Sequence, residues 1–128
     1  MDSLYREDIL QLFKNPHNFG TMENADITIT DTNATCGDEI TIYIKLTPDK
    51  QRVKDVKYVC FGCLVCITSS SIFTDMMKGK TLAEVKQITF EEVNKTLKLP
   101  VVKGKWNCCN LSIKAVERGL NDYEARQK

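Results

Sequence analysis

The sequence predicts an α+β fold in which a three-stranded antiparallel sheet carries helices on one face. Three segments rich in β-branched residues follow one another with short links, at residues 25–31, 39–46 and 52–61. The apolar residues after them recur at helical spacing. Strands that precede helices in this way are typical of α+β folds. At 128 residues the chain suits a single domain, residues 1–128, whose core needs no disulfides.

The first element is a predicted helix over residues 3–13, where apolar residues recur at helical spacing and Ser3 is a candidate N-cap. Residues 14–24 contain Pro16, Gly20 and several asparagines, so they predict a loop.

The three strands come next, and the second has the clearest alternation. Its inward residues are expected to be Ile40, Ile42, Ile44 and Leu46, with polar side chains between them. Residues 47–51 supply a turn to the third strand, so the three strands form a meander.

The second half of the chain predicts helices. Residues 63–80 fit a helix that Gly79 ends, with Met76 and Met77 in the core. A capping box, in which two side chains cap one helix start, is indicated by Thr81 and Glu84.

A further helix is expected over residues 89–97, beginning with Thr89, and Pro100 favours an extended segment over residues 99–105. The last helix carries an apolar stripe at steps of four and three residues: Cys109, Ile113, Val116, Leu120 and Tyr123.

The composition excludes two classes of partner. Lys and Arg number 18 against 17 Asp and Glu, so no strong field favours nucleic acid or an anionic membrane.

No apolar run approaches the roughly 20 residues that a bilayer span needs. The start, MDSLYREDIL, has no apolar signal core and carries acidic residues, which predicts a cytoplasmic protein.

Six cysteines are the main functional signal: Cys36, Cys60, Cys63, Cys66, Cys108 and Cys109. Without an export signal, such residues are more often ligands, nucleophiles or core thiols than disulfides. The run CFGCLVC resembles a ferredoxin loop, but positions 70 and 71 are serines where that loop needs cysteine and proline. A zinc ribbon needs two C-x2-C knuckles, and the adjacent pair Cys108–Cys109 cannot supply the second.

A site built from separate segments is the remaining interpretation. Its candidate ligands are Cys36, Asp38, Cys63 and Cys108. On a strand, Cys36 and Asp38 would face the same side, and Gly37 would leave room beside them. Cys63 and Cys108 stand near predicted helix starts, where thiolates are favoured. Three thiolates and one carboxylate complete a tetrahedral set.

The other candidate residues have simpler interpretations. Cys60 alternates with apolar strand residues and Cys109 falls on a helical stripe, so both are expected to be packed thiols. Cys66 lies one helical turn from Cys63, which makes it an additional candidate metal ligand. His17 lies in a loop and is expected at the surface.

Five segments, taken in order, resemble the IscU family of iron–sulfur cluster assembly scaffolds, with the N-terminal domain of NifU and the related SufU proteins. They are YREDILQLFKNPHNFG, NATCGDEI, FGCLVCITSSSIFTDMMKGK, LPVVK and CCNLSIKAVERGL. The resemblance covers nearly the whole chain and implies a SufE/NifU-like fold and a scaffold, not an enzyme.

The resemblance also implies a mechanism. Cys36, Asp38, Cys63 and Cys108 would hold iron or a [2Fe–2S] cluster, with Cys108 as persulfide acceptor and zinc as an alternative occupant. A cysteine desulfurase, an electron donor such as a ferredoxin and recipient apoproteins would be partners. Leu99–Lys103 matches the family's Hsp70-type chaperone motif, and Tyr5 matches a residue used where two scaffolds meet, so a homodimer is a candidate assembly.

Three departures from the family pattern leave alternatives open. Asn107 stands where IscU proteins have histidine, the insertion that SufU proteins carry is absent, and Val101 replaces the chaperone motif's second proline. One alternative is a zinc-dependent SufU-type sulfurtransferase in which Cys36 relays persulfide sulfur from a desulfurase. Another is a metal-stabilised binding module without sulfur chemistry.

Overall fold

A computed structural model describes residues 7–33, 37–62, 64–97 and 106–126. Within these residues a three-stranded antiparallel sheet in the order β1-β2-β3 is followed by four helices and preceded by one. The elements are α1 (Glu7–Lys14), β1 (Ile27–Asn33), β2 (Asp38–Leu46), β3 (Val53–Phe61), α2 (Leu64–Met77), α3 (Leu82–Lys86), α4 (Phe90–Leu97) and α5 (Trp106–Arg126).

The sheet buries one face and leaves the other partly open. Buried residues of all three strands point into the core and alternate along each strand, except where a register shift separates Val53 from Val56: Ile27, Ile29, Ile40, Ile42, Ile44, Leu46, Val53, Val56, Tyr58 and Cys60. The register pairs Ile29 with Ile42 and Ile42 with Tyr58, so apolar side chains stack across the sheet. The alternation expected of the second strand is confirmed.

The helices cover the buried face. Helix α5 packs against β1, β2 and α2, while α2 packs against β3, α1 and α4. The predicted α+β fold is therefore confirmed. In the described ranges no helix is long and apolar enough to cross a membrane.

Helix α2 is rich in Ser and Thr, yet it lies in the core because four of its five hydroxyls, all but that of Ser70, bond back to the helix itself. Thr68 donates to the Leu64 carbonyl over 2.8 Å, and Thr74 donates to the Ser70 carbonyl over 2.7 Å. Such back-bonding satisfies hydroxyl groups without an external partner, so a polar sequence can be buried.

The element boundaries differ from the predicted ones by a few residues. Strand β1 extends to Asn33, which pairs with Asp38, because polar residues can continue a ladder after the hydrophobic alternation stops. Gly79 has φ +82°, and α2 ends at Met77 just before it, as expected of a helix-ending glycine. The Thr81–Glu84 capping box is present, and Met77 is fully buried.

Candidate metal centre

Asp38 is a carboxylate buried at one end of the sheet. It opens β2, opposite Asn33 of β1, and is only 4% exposed. A Cβ atom built on Gly62 would lie 2.9 Å from the Asp38 Cγ and 3.0 Å from its Oδ1. The carboxylate therefore lies directly against the Gly62 backbone, where a side chain would collide with it. The next residue in the chain is Cys63.

Gly37, the residue before Asp38, corrects one prediction. The same-side argument for Cys36 and Asp38 required an extended strand through Gly37, and this is wrong. Gly37 has φ +74°, in the left-handed region that favours glycine, and β2 begins only at Asp38. A Cβ atom on Gly37 would meet no atom of the described residues within 4 Å, and the room expected there for an ion stays a prediction.

Helix α5 packs against β1 and β2, the strand that Asp38 opens. Gly119 lies against Ile29, and the Arg118 Nη2 donates to the Thr30 carbonyl over 2.9 Å. The two elements line one surface cavity together, with Ile27, Thr28, Ile29 and Thr30 from β1 and Arg118, Gly119, Asp122 and Arg126 from α5. This part of α5 therefore lies against β1.

Element lengths would let the start of α5 reach the end of the sheet that Asp38 opens. The 11 residues from Gly119 back to Cys108 rise about 16 Å along a helix, and the strand from Ile29 to Asn33 spans about 13 Å. Cys108 is the third residue of α5.

The predicted ligand set is only partly within the described residues. Cys36, Cys63 and the side chain of Cys108 lie outside them, as do Tyr5, Leu99–Lys103 and the side chains of Asn107 and Cys109. Among the side chains that the structure describes, no three of His, Cys, Asp and Glu are grouped to hold a metal ion. The four-ligand set stays a prediction, supported by the contact between Asp38 and Gly62.

Cys60 and Cys66 form a pair of thiols close to Asp38. Their Sγ atoms are 3.1 Å apart, and both side chains are buried. The hydrogen bond with Cys60 raises the pKa of the Cys66 thiol, and burial and the nearby Asp38 carboxylate raise it further. The prediction that Cys60 is a packed thiol is confirmed.

A family comparison shows where this chain belongs. Residues 4–128 match the family described as NifU-like N terminal domain. The chain belongs to this family. A similar relative, the iron–sulfur cluster assembly scaffold protein IscU 1 of Archaeoglobus fulgidus, is 41% identical over 121 residues, which cover 94% of this chain and 76% of that protein.

Solved structures with low sequence identity show the same NifU-like fold. A candidate assembly scaffold for the SUF system from Fervidobacterium islandicum AW-1 has a TM-score of 0.76 at 23% identity, over 91% of this chain and 96% of that one. A NifU-like N-terminal protein from Brucella abortus has a TM-score of 0.75 at 19% identity, over 97% and 96%.

Two surface features, at Phe61 and at His17, were not predicted from the sequence. Phe61 ends β3 beside Gly62 and is 72% exposed, which the outward phase of its strand position could have indicated. His17 is at the surface, as expected, but its Nδ1 lies 2.6 Å from an Asp75 carboxylate oxygen. The neighbouring Asn18 donates to the same carboxylate over 2.9 Å. No local pattern links residues 58 positions apart, so that contact was not predictable.

Proposed function

We propose that this chain is a scaffold on which a [2Fe–2S] cluster is assembled from iron and desulfurase-derived sulfur and then passed to apoproteins. The observation that carries the proposal is the contact of the buried Asp38 carboxylate with Gly62. It joins the segment that follows Cys36 to the segment that precedes Cys63, within a chain of the NifU-like N-terminal family.

The proposed ligands are Cys36, Asp38, Cys63 and Cys108. Thiolates bind iron well, and a carboxylate oxygen is a harder ligand that exchanges more readily, so the set suits a cargo that must leave. The same four donors fit tetrahedral zinc, which makes zinc a competing occupant.

The chemistry of assembly balances with one external electron donor. Two ferrous ions and two persulfide-derived sulfur atoms require two further electrons to give the oxidised cluster, which holds two ferric ions and two sulfides. In this scheme a cysteine desulfurase transfers sulfur to Cys108, and a ferredoxin-type protein supplies the electrons. Cys36, Asp38 and Cys63 hold the iron where that sulfur arrives.

The ligand set is tested by single cysteine-to-serine substitutions with bound iron measured after anaerobic reconstitution. We expect loss of iron in the variants at Cys36, Cys63 and Cys108. The variants at Cys60, Cys66 and Cys109 should retain it and act as matched controls. Retention in all of the first three variants would overturn the proposed set.

Replacing Asp38 tests the exchangeable ligand. We expect Asp38→Ala to lengthen the lifetime of the assembled cluster several-fold, because a hard, labile donor is removed while three thiolates remain. Asp38→Asn keeps a side chain of the same shape against Gly62 but removes the carboxylate. It therefore separates the effect of lost packing from the effect of a lost metal ligand. The measurement is the decay of the cluster's visible absorption in the presence of an apoprotein acceptor. Complete loss of metal in both variants would contradict a labile role.

A second function is favoured by one observation, the Asn107 that stands at the IscU histidine position. Without that histidine the chain could act as a zinc-dependent sulfurtransferase in which Cys36 receives and relays persulfide sulfur. Anaerobic reconstitution with iron, cysteine and a desulfurase separates the two functions. A stoichiometric [2Fe–2S] spectrum supports the scaffold, whereas persulfide without a cluster supports the relay.

The partners of the scaffold follow from the same proposal. They are a cysteine desulfurase, an electron donor, recipient apoproteins and an Hsp70-type chaperone that would bind Leu99–Lys103. A homodimer through Tyr5 and a cytoplasmic location stay predictions. The oligomeric state before and after reconstitution, measured by light scattering, tests the dimer.

A further inference from the structure

Two buried thiols from different elements are in contact beside the candidate metal centre. Cys60 is the penultimate residue of β3, and Cys66 is in the first turn of α2. Their sulfur atoms are 3.1 Å apart, whereas a disulfide bond measures about 2.05 Å. An approach of about 1 Å would therefore join the two elements. Both residues are free thiols.

Burial limits the size of the reagents that can reach the pair. Cys60 is 4% exposed and Cys66 is 0% exposed, so a bulky disulfide reagent cannot reach either sulfur without opening the fold. The two sulfur atoms lie within hydrogen-bond distance, and either thiol can be the donor.

We propose that Cys60 and Cys66 are a dithiol–disulfide redox site that reacts with hydroperoxides. The Cys60 sulfur attacks the peroxide, becomes a sulfenic acid and releases water or an alcohol. The Cys66 sulfur then attacks the Cys60 sulfur and expels hydroxide, which leaves as water with the Cys66 proton. The two thiols lose two electrons, and the peroxide gains them.

The resulting bond would close a loop from residue 60 to residue 66 around Cys63. That loop includes Gly62, against which the Asp38 carboxylate lies. Oxidation would therefore fix the end of β3 to the start of α2 at the edge of the candidate metal centre. The redox site itself uses neither Cys36 nor Cys108 and needs no metal, so it stands independently of the proposed scaffold function.

Peptide mapping of the whole chain tests the site, because chymotrypsin separates the three neighbouring cysteines. Cleavage after Tyr58, Phe61, Leu64 and Phe73 puts Cys60, Cys63 and Cys66 on different peptides. After treatment of the chelated protein with hydrogen peroxide and alkylation, we expect peptides 59–61 and 65–73 to be linked. The Cys63 peptide should remain alkylated.

Two further measurements accompany the map. The thiol count of the unfolded protein should fall by two from the six in the sequence and return with a phosphine reductant. Oxidised glutathione at equal concentration should react far more slowly than hydrogen peroxide, because the pair is buried. Faster reaction with glutathione would overturn the assignment to hydroperoxides.

Matched variants identify the pair. Cys66→Ser should stop the linkage and leave a sulfenic acid at Cys60 that dimedone traps, whereas Cys109→Ser should preserve the linkage. If Cys66→Ser does not fold, the map of the unaltered protein still decides. Linkage of Cys63 to either neighbour, overoxidation of separate thiols or no reaction would each overturn the proposal.

Discussion

At the scale of single residues, the core contains buried hydroxyls with and without hydrogen-bond partners among the described residues. Tyr58 is fully buried, and its hydroxyl lies 2.7 Å from the Ser71 Oγ and donates to the Ile67 carbonyl over 3.0 Å. Burial raises the pKa of Tyr58, so it stays neutral. Ser112 of α5 is equally buried, but its Oγ has no hydrogen-bond partner among the described residues. The two serines should therefore respond oppositely to loss of the hydroxyl.

We expect Ser71→Ala to lower the free energy of unfolding by about 1 kcal/mol, because it deprives the buried Tyr58 hydroxyl of one partner. Ser112→Ala should leave stability unchanged or raise it by about 0.5 kcal/mol, because it removes an unpaired polar atom and introduces a better helix former. Urea denaturation at pH 7 measures both. Equal destabilisation by the two variants would show that Ser112 is bonded in solution.

At the scale of elements, the crossing of α5 over β1 depends on a glycine. A Cβ atom on Gly119 would lie 2.3 Å from both Cγ1 and Cδ1 of Ile29, far inside contact distance. Glycine in a helix interior costs about 1 kcal/mol relative to alanine. The closer packing of α5 against β1 that this glycine allows offsets that cost.

We therefore expect Gly119→Ala to destabilise the fold by about 1–3 kcal/mol, despite its better helix propensity, because Ile29 must move. The test is a double-mutant cycle with Ile29→Ala, which removes the two colliding atoms, monitored by urea denaturation. The double variant should be more stable than the sum of the single effects predicts. Strict additivity would mean that the helix shifts away from the strand.

Local patterns predicted the elements but not the close approaches between them. The alternation of Ile40, Ile42 and Ile44 and the Thr81–Glu84 capping box depend on neighbours in sequence, so both were predictable. The close approach of Gly119 to Ile29 joins residues 90 positions apart, and the contact of Gly62 with Asp38 depends on strand register. Spacing identified Cys60 as a packed thiol but could not pair it with Cys66.

The candidate site was likewise predictable from the sequence only in part. Residue chemistry and the family resemblance selected Asp38, and the structure places it against Gly62. The expectation of an extended strand at Gly37 was wrong because a glycine between two candidate ligands fits either an open strand or a left-handed turn. Only backbone geometry distinguishes these two roles.

At the scale of the whole molecule, the sheet separates the candidate metal centre from a cluster of charges at its opposite end. Asp38 begins β2 and Leu46 ends it, about 26 Å away for an extended strand. At the far end, the Asp26 carboxylate accepts from the Leu46 backbone N–H over 2.7 Å and from the Lys50 Nζ over 2.9 Å. These contacts join the start of β1 to the turn after β2.

The Lys50 ammonium, and next the Leu46 N–H, lower the pKa of Asp26 below its ordinary 3.8. A lowered pKa in the folded state means that the unfolded chain binds the proton more tightly. The stability that the carboxylate contributes is therefore full above about pH 4 and is lost as the pH falls through the lower folded-state value.

We expect Asp26→Asn to lower the free energy of unfolding by about 1 kcal/mol at pH 7, a figure that allows for solvent screening of a partly exposed pair. The difference from the unaltered protein should shrink as the pH falls below 4, because Asp26 becomes protonated and neutral, like Asn, once the pH passes its lowered folded-state pKa. Urea denaturation from pH 7 to pH 2.5 measures it, with the exposed Asp122→Asn as the matched control. Iron bound after reconstitution at pH 7 should not change, since Asp26 lies at the other end of the sheet from Asp38. A difference that persists undiminished at pH 2.5, or a loss of iron, would contradict this separation of stability from metal binding.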